Sequence, residues 1–512
     1  MSRNEKLLWI VLIGIKLLVP FLVPAGAFEL HRDEYLYYAQ GQHLAPGFLE
    51  NPPMVGFLGW LSSLAGGGFF AIRLWPAVFG AATLWLALKI CRGFGGGPYA
   101  QLLTGIGFLL SAFLRIHILF QPNFLDIFFW TLAAWFTQRY LLRQQRRDLF
   151  ALAVTLALGW WAKYSVLFFV LALFGAIVLS PQRRWLARRD FWLAITLGLV
   201  LILPNIYWQW QQNWPLVHHM EELRETQLKY LSKTTFLKEQ LLMFLPACFL
   251  WIGGLWWLLR SSRFRVFGLL YLGVLVLLML GSGKGYYALG IYPMMLAAGG
   301  AWMESLLGRT VNLRVAAALL ILVIGFPIIF LMLPLQAPRE MAAFNERWGF
   351  RDIGILRWED LRDHELQQDF ADMLGWKEIA RKTYDFYDAL PSSVQDSTVI
   401  YARNYGYAGS LLYYVKDKRF RRSLICDNGT FLLWIPERLP YRHLLFVGEE
   451  RPPKSDSVFE HFGNITVVDS CTNPLSRQYG TQILFFENAD TTAFPLAGRG
   501  LQEMKAKFRR QR

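Results

Sequence analysis

The segment His31-Arg32-Asp33-Glu34-Tyr35-Leu36-Tyr37-Tyr38 sets two adjacent carboxylates beside a guanidinium, just past an apolar stretch. A carboxylate so placed can take a proton from an attacking hydroxyl and act as a general base. Ionisable groups at membrane depth are costly and often functional. Arg32 can offset the charge of a phosphate. The same residues also read as a plain solvated loop. Asp126, in Gln121-Pro122-Asn123-Phe124-Leu125-Asp126, is a lone acid near a helix start. It suits either the helix dipole or a site. Lys163, Arg73 and Arg115 are cations at the ends of apolar runs. They either snorkel to the headgroup layer or meet an anionic lipid headgroup.

Gly281-Ser282-Gly283-Lys284-Gly285-Tyr286-Tyr287 looks at first like a phosphate loop. The first glycine of a Walker motif is missing, and Gly285 replaces its Ser/Thr. Backbone N–H groups and Lys284 can still approach a phosphate there; the other reading is an inter-helix turn. His218, His219, Glu221 and Glu222 have helical spacing, but no third metal ligand stands at a telling distance. That segment reads as a solvated interfacial helix, and no metal ligands are assigned.

These residues need elements to hold them, and the composition says which. Hydrophobic residues make up 54% of the 512, and charged residues only 17%, well below the roughly 25% of soluble domains. Eleven mostly apolar runs approach the length of a membrane helix, over about 7–27, 70–91, 99–118, 121–141, 148–163, 165–181, 191–208, 241–259, 264–281, 286–304 and 313–335. No small-residue cleavage site follows the first run, so it reads as a retained helix rather than a signal peptide. The outer loops 28–68 and 209–240 carry helical patterns suited to the interface.

Residues 1–335 hold a net charge of +14 and residues 336–512 only +1. The basic charge sits in short loops between apolar runs, which is the positive-inside pattern and excludes a nucleic-acid-binding face. An inside N-terminus gathers about 17 basic residues on the cytoplasmic side against about 9 opposite. Eleven helices then place residues 336–512 outside the cytoplasm. That tail opens with a helix-prone stretch, 340–390. Strand-like runs follow at 398–401, 431–435, 443–447, 465–468 and 482–486, which suggests a small α/β or α+β domain. Residues 505–512 read as a frayed basic end. Cys91 and Cys248 fall in or beside apolar runs and read as inert. Cys426 and Cys471 can pair if the tail lies outside the cytoplasm, a question their spacing leaves open.

In order, the chain carries Arg32-Asp33-Glu34 with Tyr37, Asn51-Pro52-Pro53, Arg73-Leu74-Trp75-Pro76, Phe120-Gln121-Pro122, Asp126 with Trp130, and Lys163-Tyr164. Ser180-Pro181-Gln182-Arg183-Arg184, Pro204-Asn205, Trp208-Gln209, Trp214-Pro215, Lys284-Gly285-Tyr286-Tyr287 and Tyr292-Pro293 follow. With these motifs the chain resembles the family 39 membrane glycosyltransferases, which include protein O-mannosyltransferases and lipid A aminoarabinose transferases. The resemblance is closest to the bacterial branch and covers about residues 5–335; the tail has no named counterpart.

The resemblance implies a GT-C fold: an all-α polytopic membrane bundle, residues 1–335, with about 11 transmembrane helices. Residues 336–512 then form the small extracytoplasmic C-terminal domain. It implies a bacterial cytoplasmic-membrane enzyme that inverts the anomeric centre of a polyprenyl-phosphate-linked sugar. The acceptor would be lipid A, a protein or a glycan. Asp33 is the expected general base, Glu34 supports it or shares the role, and Asp126 matches the second acidic position. Arg32, Arg73, Lys163 and Lys284 are expected at the lipid phosphate, with Tyr37, Tyr286 and Tyr287 counted among the substrate-binding residues. No cofactor is required, and a divalent metal is compatible. Two departures from the aminoarabinose branch stand out: Leu36 replaces an Arg and Asn51 a Lys, so phosphate contacts are expected to be made differently. The alternative function is a transporter or flippase for a lipid-linked sugar. Transporters tend to place ionisable residues at the midplane of repeated halves, and no matching halves are present.

Overall fold

The computed structural model describes residues 2–24, 26–226, 228–230, 232–439, 441–449 and 458–509. The first helix, α1 (Arg3–Leu18), is started by Ser2 and Glu5, which exchange side-chain and backbone hydrogen bonds in a capping box. Two short helices, α2 (Arg32–Gln40) and α3 (Met54–Leu64), fill the loop 28–68, the first of the two expected to face outward. The bundle continues with α4 (Phe69–Gly93), α5 (Pro98–Leu109), the single turn α6 (Phe113–Ile116), α7 (Pro122–Arg143), α8 (Arg146–Ala162), α9 (Val166–Val178) and α10 (Arg189–Gln211). Next, α11 (Pro215–Thr226) and α12 (Lys233–Met243) occupy the second outer loop. The bundle closes with α13 (Cys248–Arg260), α14 (Arg265–Leu280), α15 (Tyr292–Leu307) and α16 (Val311–Met332).

Each of the eleven apolar runs contains helix, but several are broken. Among the described residues, α4, α10 and α16 are each long and apolar enough to cross a bilayer. Two further candidates are bent: α9 turns by 102° into the 3-10 segment Pro181–Ala187, and α12 by 75° into the segment leading to α13. The 99–118 run stops at Leu109, where the Ala112 N–H bonds the Met243 carbonyl instead of continuing the helix. The 7–27 run ends its α-helix at Leu18 and passes into a 3-10 turn containing Pro20. Large apolar side chains on α10 and α16, such as Leu199, Leu203, Val323 and Phe326, are exposed, as a lipid-facing surface requires. Interior helices approach closely through small residues: a Cβ on Gly254 of α13 would lie 2.6 Å from the Gly299 nitrogen of α15.

The tail begins with α17 (Pro338–Arg347), α18 (Gln368–Ala371), α19 (Trp376–Ala389) and α20 (Ser392–Asp396). It then forms a five-stranded mixed sheet in the order β2-β1-β3-β5-β4. The strands are β1 (Thr398–Ala402), β2 (Leu424–Ile425), β3 (His443–Gly448), β4 (Phe462–Ser470) and β5 (Gln482–Ala489). The first three run parallel; β5 is antiparallel to both β3 and β4. Three short helices interrupt or follow the strands: α21 (Tyr405–Tyr414), α22 (Lys418–Ser423) and α23 (Phe431–Trp434); α24 (Ala493–Ala506) is the last helix among the described residues. Ile400, Leu445 and Phe485 pack on one sheet face with Trp376 and Tyr407. Val399, Phe446 and Phe486 pack on the other, with Phe494 of α24 against them. Cover on both faces explains why all six residues of β3 are buried.

Four of the five strand-like runs are strands. The exception, 431–435, is mostly the helical turn α23. The Thr430 N–H donates to Glu50 Oε1 at 2.6 Å, and this contact with the first outer loop starts a helical turn. The two-residue β2 has too little sequence to signal itself. The 340–390 stretch is helical at its ends but irregular between Arg347 and Gln368. The C-terminal basic end is not wholly frayed: α24 reaches Ala506, and buried Lys505 donates to the Ile435 carbonyl. Residues 510–512 lie outside the described residues. All four cysteines are free. Cys426 lies beside Asn428, and Cys471 beside Glu378.

The tail and the first outer loop share one core. Tyr35 of α2 meets the rings of Trp376, Tyr413 and Tyr414. A Cβ on Gly409 of α21 would lie 2.8 Å from the Tyr35 backbone, so α21 lies directly against α2.

Candidate active site

The N-terminal turn of α2 carries Asp33 and Glu34, and the two face different surroundings. The His31 side chain accepts the Asp33 N–H, while Glu34 returns a bond to the His31 N–H at 2.7 Å. Successive helix positions lie about 100° apart around the axis, so neighbouring acids point in different directions. Glu34 turns inward, is fully buried, and accepts the Phe120 N–H at 2.6 Å. Its other oxygen lies 2.9 Å from Arg73 Nη2, with both side chains unexposed. Arg73 also packs over the Phe69 ring. Arg73, expected at a lipid phosphate, is thus buried in this structure with the Glu34 carboxylate beside it. The bond to Phe120 ties α2 to the entry of α7.

Asp33 turns the other way, and its side chain keeps 26% exposure. Oδ1 accepts the Tyr405 hydroxyl at 2.8 Å and Oδ2 accepts Gln121 Nε2 at 3.2 Å. Gln121 in turn accepts from Asn123 Nδ2 at 3.0 Å, and Asn123 accepts from Lys163 Nζ at 2.7 Å. A ladder of side chains thus runs from Asp33 to Lys163. Pro122 sits between its two middle rungs, at the first position of α7, where its missing N–H costs nothing. Lys163 lies just past α8, and its ammonium sits over the Tyr287 ring at 4.7 Å and the Tyr286 ring at 5.6 Å. Asp126 is buried one turn further into α7, with Lys163, Ser165 and Trp130 around it and one oxygen unpartnered. Lys284 caps the 3-10 turn Gly285–Ile291, close enough to act electrostatically on Lys163 and Glu239. The glycine turn is held from α12, where Glu239 accepts the Gly285 N–H at 3.1 Å.

The surroundings set the charge states. Burial alone would raise the Asp33 carboxyl; the charges of His31 and Arg32 and the Tyr405 hydrogen bond outweigh it and hold it below the usual carboxylate range. Burial lowers the Arg32 guanidinium less than Tyr405, Asp372, Asp33 and Glu359 raise it, so it stays charged. Arg32 faces the tail, stacked over the Tyr405 ring at 5.7 Å. Burial and the Asp33 charge push both Tyr37 and Tyr405 above the ordinary phenol range, leaving each a neutral donor.

The site therefore unites Asp33, Tyr37, Asp126, Lys163, Lys284, Tyr286 and Tyr287 at one end of the bundle, sets Glu34 and Arg73 behind them, and turns Arg32 to the tail. Three members were not singled out from the sequence. Gln121 and Asn123 lie inside a motif whose acid drew the attention. Tyr405 is 372 residues from its partner, a contact that no local pattern signals. Among the described residues, no group of three or more His, Cys, Asp or Glu side chains is placed to hold a metal ion.

A helical bundle thus carries a polar site at one end, beside a mixed-sheet tail. The chain superposes on ArnT from Cupriavidus metallidurans with a TM-score of 0.61, covering 93% of this chain and 97% of that one at 12% identity. The same protein bound to undecaprenyl phosphate gives a TM-score of 0.58 at 13% identity. The Archaeoglobus fulgidus oligosaccharyltransferase in its apo form gives 0.53 at 11% identity, covering 86% of this chain and 69% of that one. Residues 50–208 match the family described as dolichyl-phosphate-mannose-protein mannosyltransferase. The chain is also 27% identical over 230 residues to a lipid A galacturonosyltransferase, RgtD, of Rhizobium johnstonii. That match covers 44% of this chain and 47% of the relative, about half its length. The chain thus shares the fold of ArnT, and part of it is similar in sequence to membrane glycosyltransferases.

Proposed function

We propose that the protein is an inverting glycosyltransferase that moves a sugar from a polyprenyl phosphate to an acceptor hydroxyl at the outer face of a bacterial inner membrane. The observation that carries this reading is the side-chain ladder joining Asp33 to Lys163. It sets an acid at one end and a cation at the other, joined through Gln121 and Asn123. Asp33 takes the proton of the acceptor hydroxyl. The acceptor oxygen attacks the anomeric carbon from the face opposite the phosphate, and the carbon–oxygen bond to phosphate breaks. The electron pair leaves on the polyprenyl phosphate, whose growing charge Lys163 and Lys284 neutralise. Positioning supplies most of the rest. The chemistry requires no cofactor and is compatible with a divalent metal.

This reading takes the eleven apolar runs as spans, with residues 336–512 outside the cytoplasm beside the site. A lipid-linked donor then arrives from the bilayer. The acceptor is a lipid, a protein or a glycan; the galacturonosyltransferase relative favours lipid A.

The test uses purified protein in detergent, a panel of radiolabelled polyprenyl-phosphate sugars and crude membrane acceptors. Release of free polyprenyl phosphate is the expected result. Donor carried across a reconstituted bilayer with its sugar–phosphate bond intact would identify a transporter instead.

Two further outcomes follow from the ladder. Lys163→Met removes a charged hydrogen bond worth about 1.5–3 kcal/mol. Donor-saturation kinetics should show kcat/KM for the donor lowered about 10- to 100-fold. Tyr405→Phe removes a bond that holds the Asp33 carboxyl down. The carboxyl then titrates at higher pH, so the acid limb of the kcat/KM profile moves up in pH. An unmoved limb, with donor affinity unchanged, would detach Tyr405 from the base.

A further inference from the structure

A charged cavity lies at the end of the bundle opposite the Asp33 ladder. Its volume is about 470 Å³, and its lining includes Arg146, Arg188, Arg189, Asp190, Tyr140 and Gln144. That size falls within the range of small-ligand pockets. Three guanidinium groups stand there against one carboxylate. Arg146 is engaged with Asp190 at 2.6 Å. Arg188 donates to the Tyr140 hydroxyl at 3.2 Å and has no carboxylate partner among the described residues. Arg189 has no ion-pair or hydrogen-bond partner among the described residues. The neighbouring Arg139 is already matched by Asp148 at 2.8 Å. The wall therefore has an uncompensated positive charge carried on planar groups that fit phosphate oxygens in pairs.

Its depth says where the ligand comes from. Arg189 and Asp190 open the 23-residue α10, a helix apolar enough to cross a bilayer, and Gln209 near its other end donates to the hydroxyl of Tyr164, the neighbour of Lys163. Twenty-three residues of α-helix span about 35 Å, close to the hydrocarbon thickness of a bilayer. The cavity thus sits at the headgroup level of the leaflet opposite the site. Leu193 joins its lining, and exposed Trp192 and Leu193 continue the surface along α10. An acyl chain can follow that apolar strip.

We infer that this cavity binds a phosphate-bearing anion, supplied either as the headgroup of an anionic phospholipid in that leaflet or as free phosphate. The site is separate from the transfer site; only the activity control in its test rests on the proposed function.

The experiment measures thermal unfolding of the purified full-length protein in neutral detergent. It titrates dihexanoylphosphatidylglycerol, inorganic phosphate, and sodium chloride at matched ionic strength. A saturable rise in midpoint is expected with the lipid. Saturation by inorganic phosphate as well would identify phosphate itself as sufficient; saturation by lipid alone would assign the headgroup with its chains. The double variant Arg188→Gln/Arg189→Gln should bind about tenfold or more weakly while keeping its polyprenyl-phosphate release. If that variant does not fold, Arg188→Lys/Arg189→Lys keeps the charge, loses the paired geometry, and should weaken binding by a smaller factor. A midpoint that follows only ionic strength, or saturation undiminished in whichever pair folds, would overturn the inference.

Discussion

Asp33→Asn leaves the protein folded and lowers kcat/KM for sugar transfer by about 10²- to 10⁴-fold, the range for losing a general base. The substitution is nearly isosteric. Its amide oxygen can still accept from Tyr405 or Gln121, so the ladder stays assembled while the proton acceptor is lost. Asp33 suits this test because its side chain is partly open, whereas Glu34 beside it is sealed. The measurement is polyprenyl phosphate release, with the thermal midpoint as the folding control. A variant with the wild-type midpoint and full turnover would remove Asp33 from the mechanism. Asp33→Glu should recover little, since a longer side chain moves the carboxylate off the geometry set by Gln121 and Tyr405, and displacement of about 1 Å already costs about 10²-fold.

How much of this was legible beforehand depended on whether the signal was local. The bundle was readable because lipid imposes apolar runs of nearly fixed length. The breaks at Leu109 and Met243 were not, because they arise where backbone groups find partners on other helices. Strands β1, β3, β4 and β5 announce themselves by composition, but Phe431–Trp434 has equally strand-like residues. A contact between Glu50 and Thr430 decides its conformation. The site divides the same way. Asp33, Asp126, Lys163 and Lys284 stood out as charges among apolar residues. The division of labour between Asp33 and Glu34 depended on which side of α2 faces the core. The buried carboxylate beside Arg73 is a pairing across 39 residues that no local pattern signals. Tyr405 was beyond reach because the tail's place over α2 comes from three-dimensional packing, in which Gly409 admits the Tyr35 backbone.

Loss of Glu34 acts on the fold before it acts on the chemistry. Glu34→Ala leaves Arg73 charged and unexposed without its carboxylate, a change that costs about 3–5 kcal/mol. It also strands the His31 and Phe120 N–H groups, at about 1–3 kcal/mol for each one that finds no new partner. Against a total stability of about 5–15 kcal/mol, the expected result is a protein that fails to accumulate or unfolds far below the wild-type midpoint. Glu34→Gln should be milder, since its amide oxygen can still take one of the three contacts. Pairing Glu34→Gln with Arg73→Met removes the buried charge as well. It should restore part of the lost midpoint, because an apolar replacement of a buried ion pair is far cheaper than half of one. Activity and stability then separate the two roles open to this acid. Phe120 adjoins Gln121, so a loosened Glu34 displaces the ladder, and turnover should fall and recover together with the midpoint. A Glu34→Gln protein as stable as wild type yet inactive would instead place Glu34 in the proton transfer and leave Asp33 as its partner.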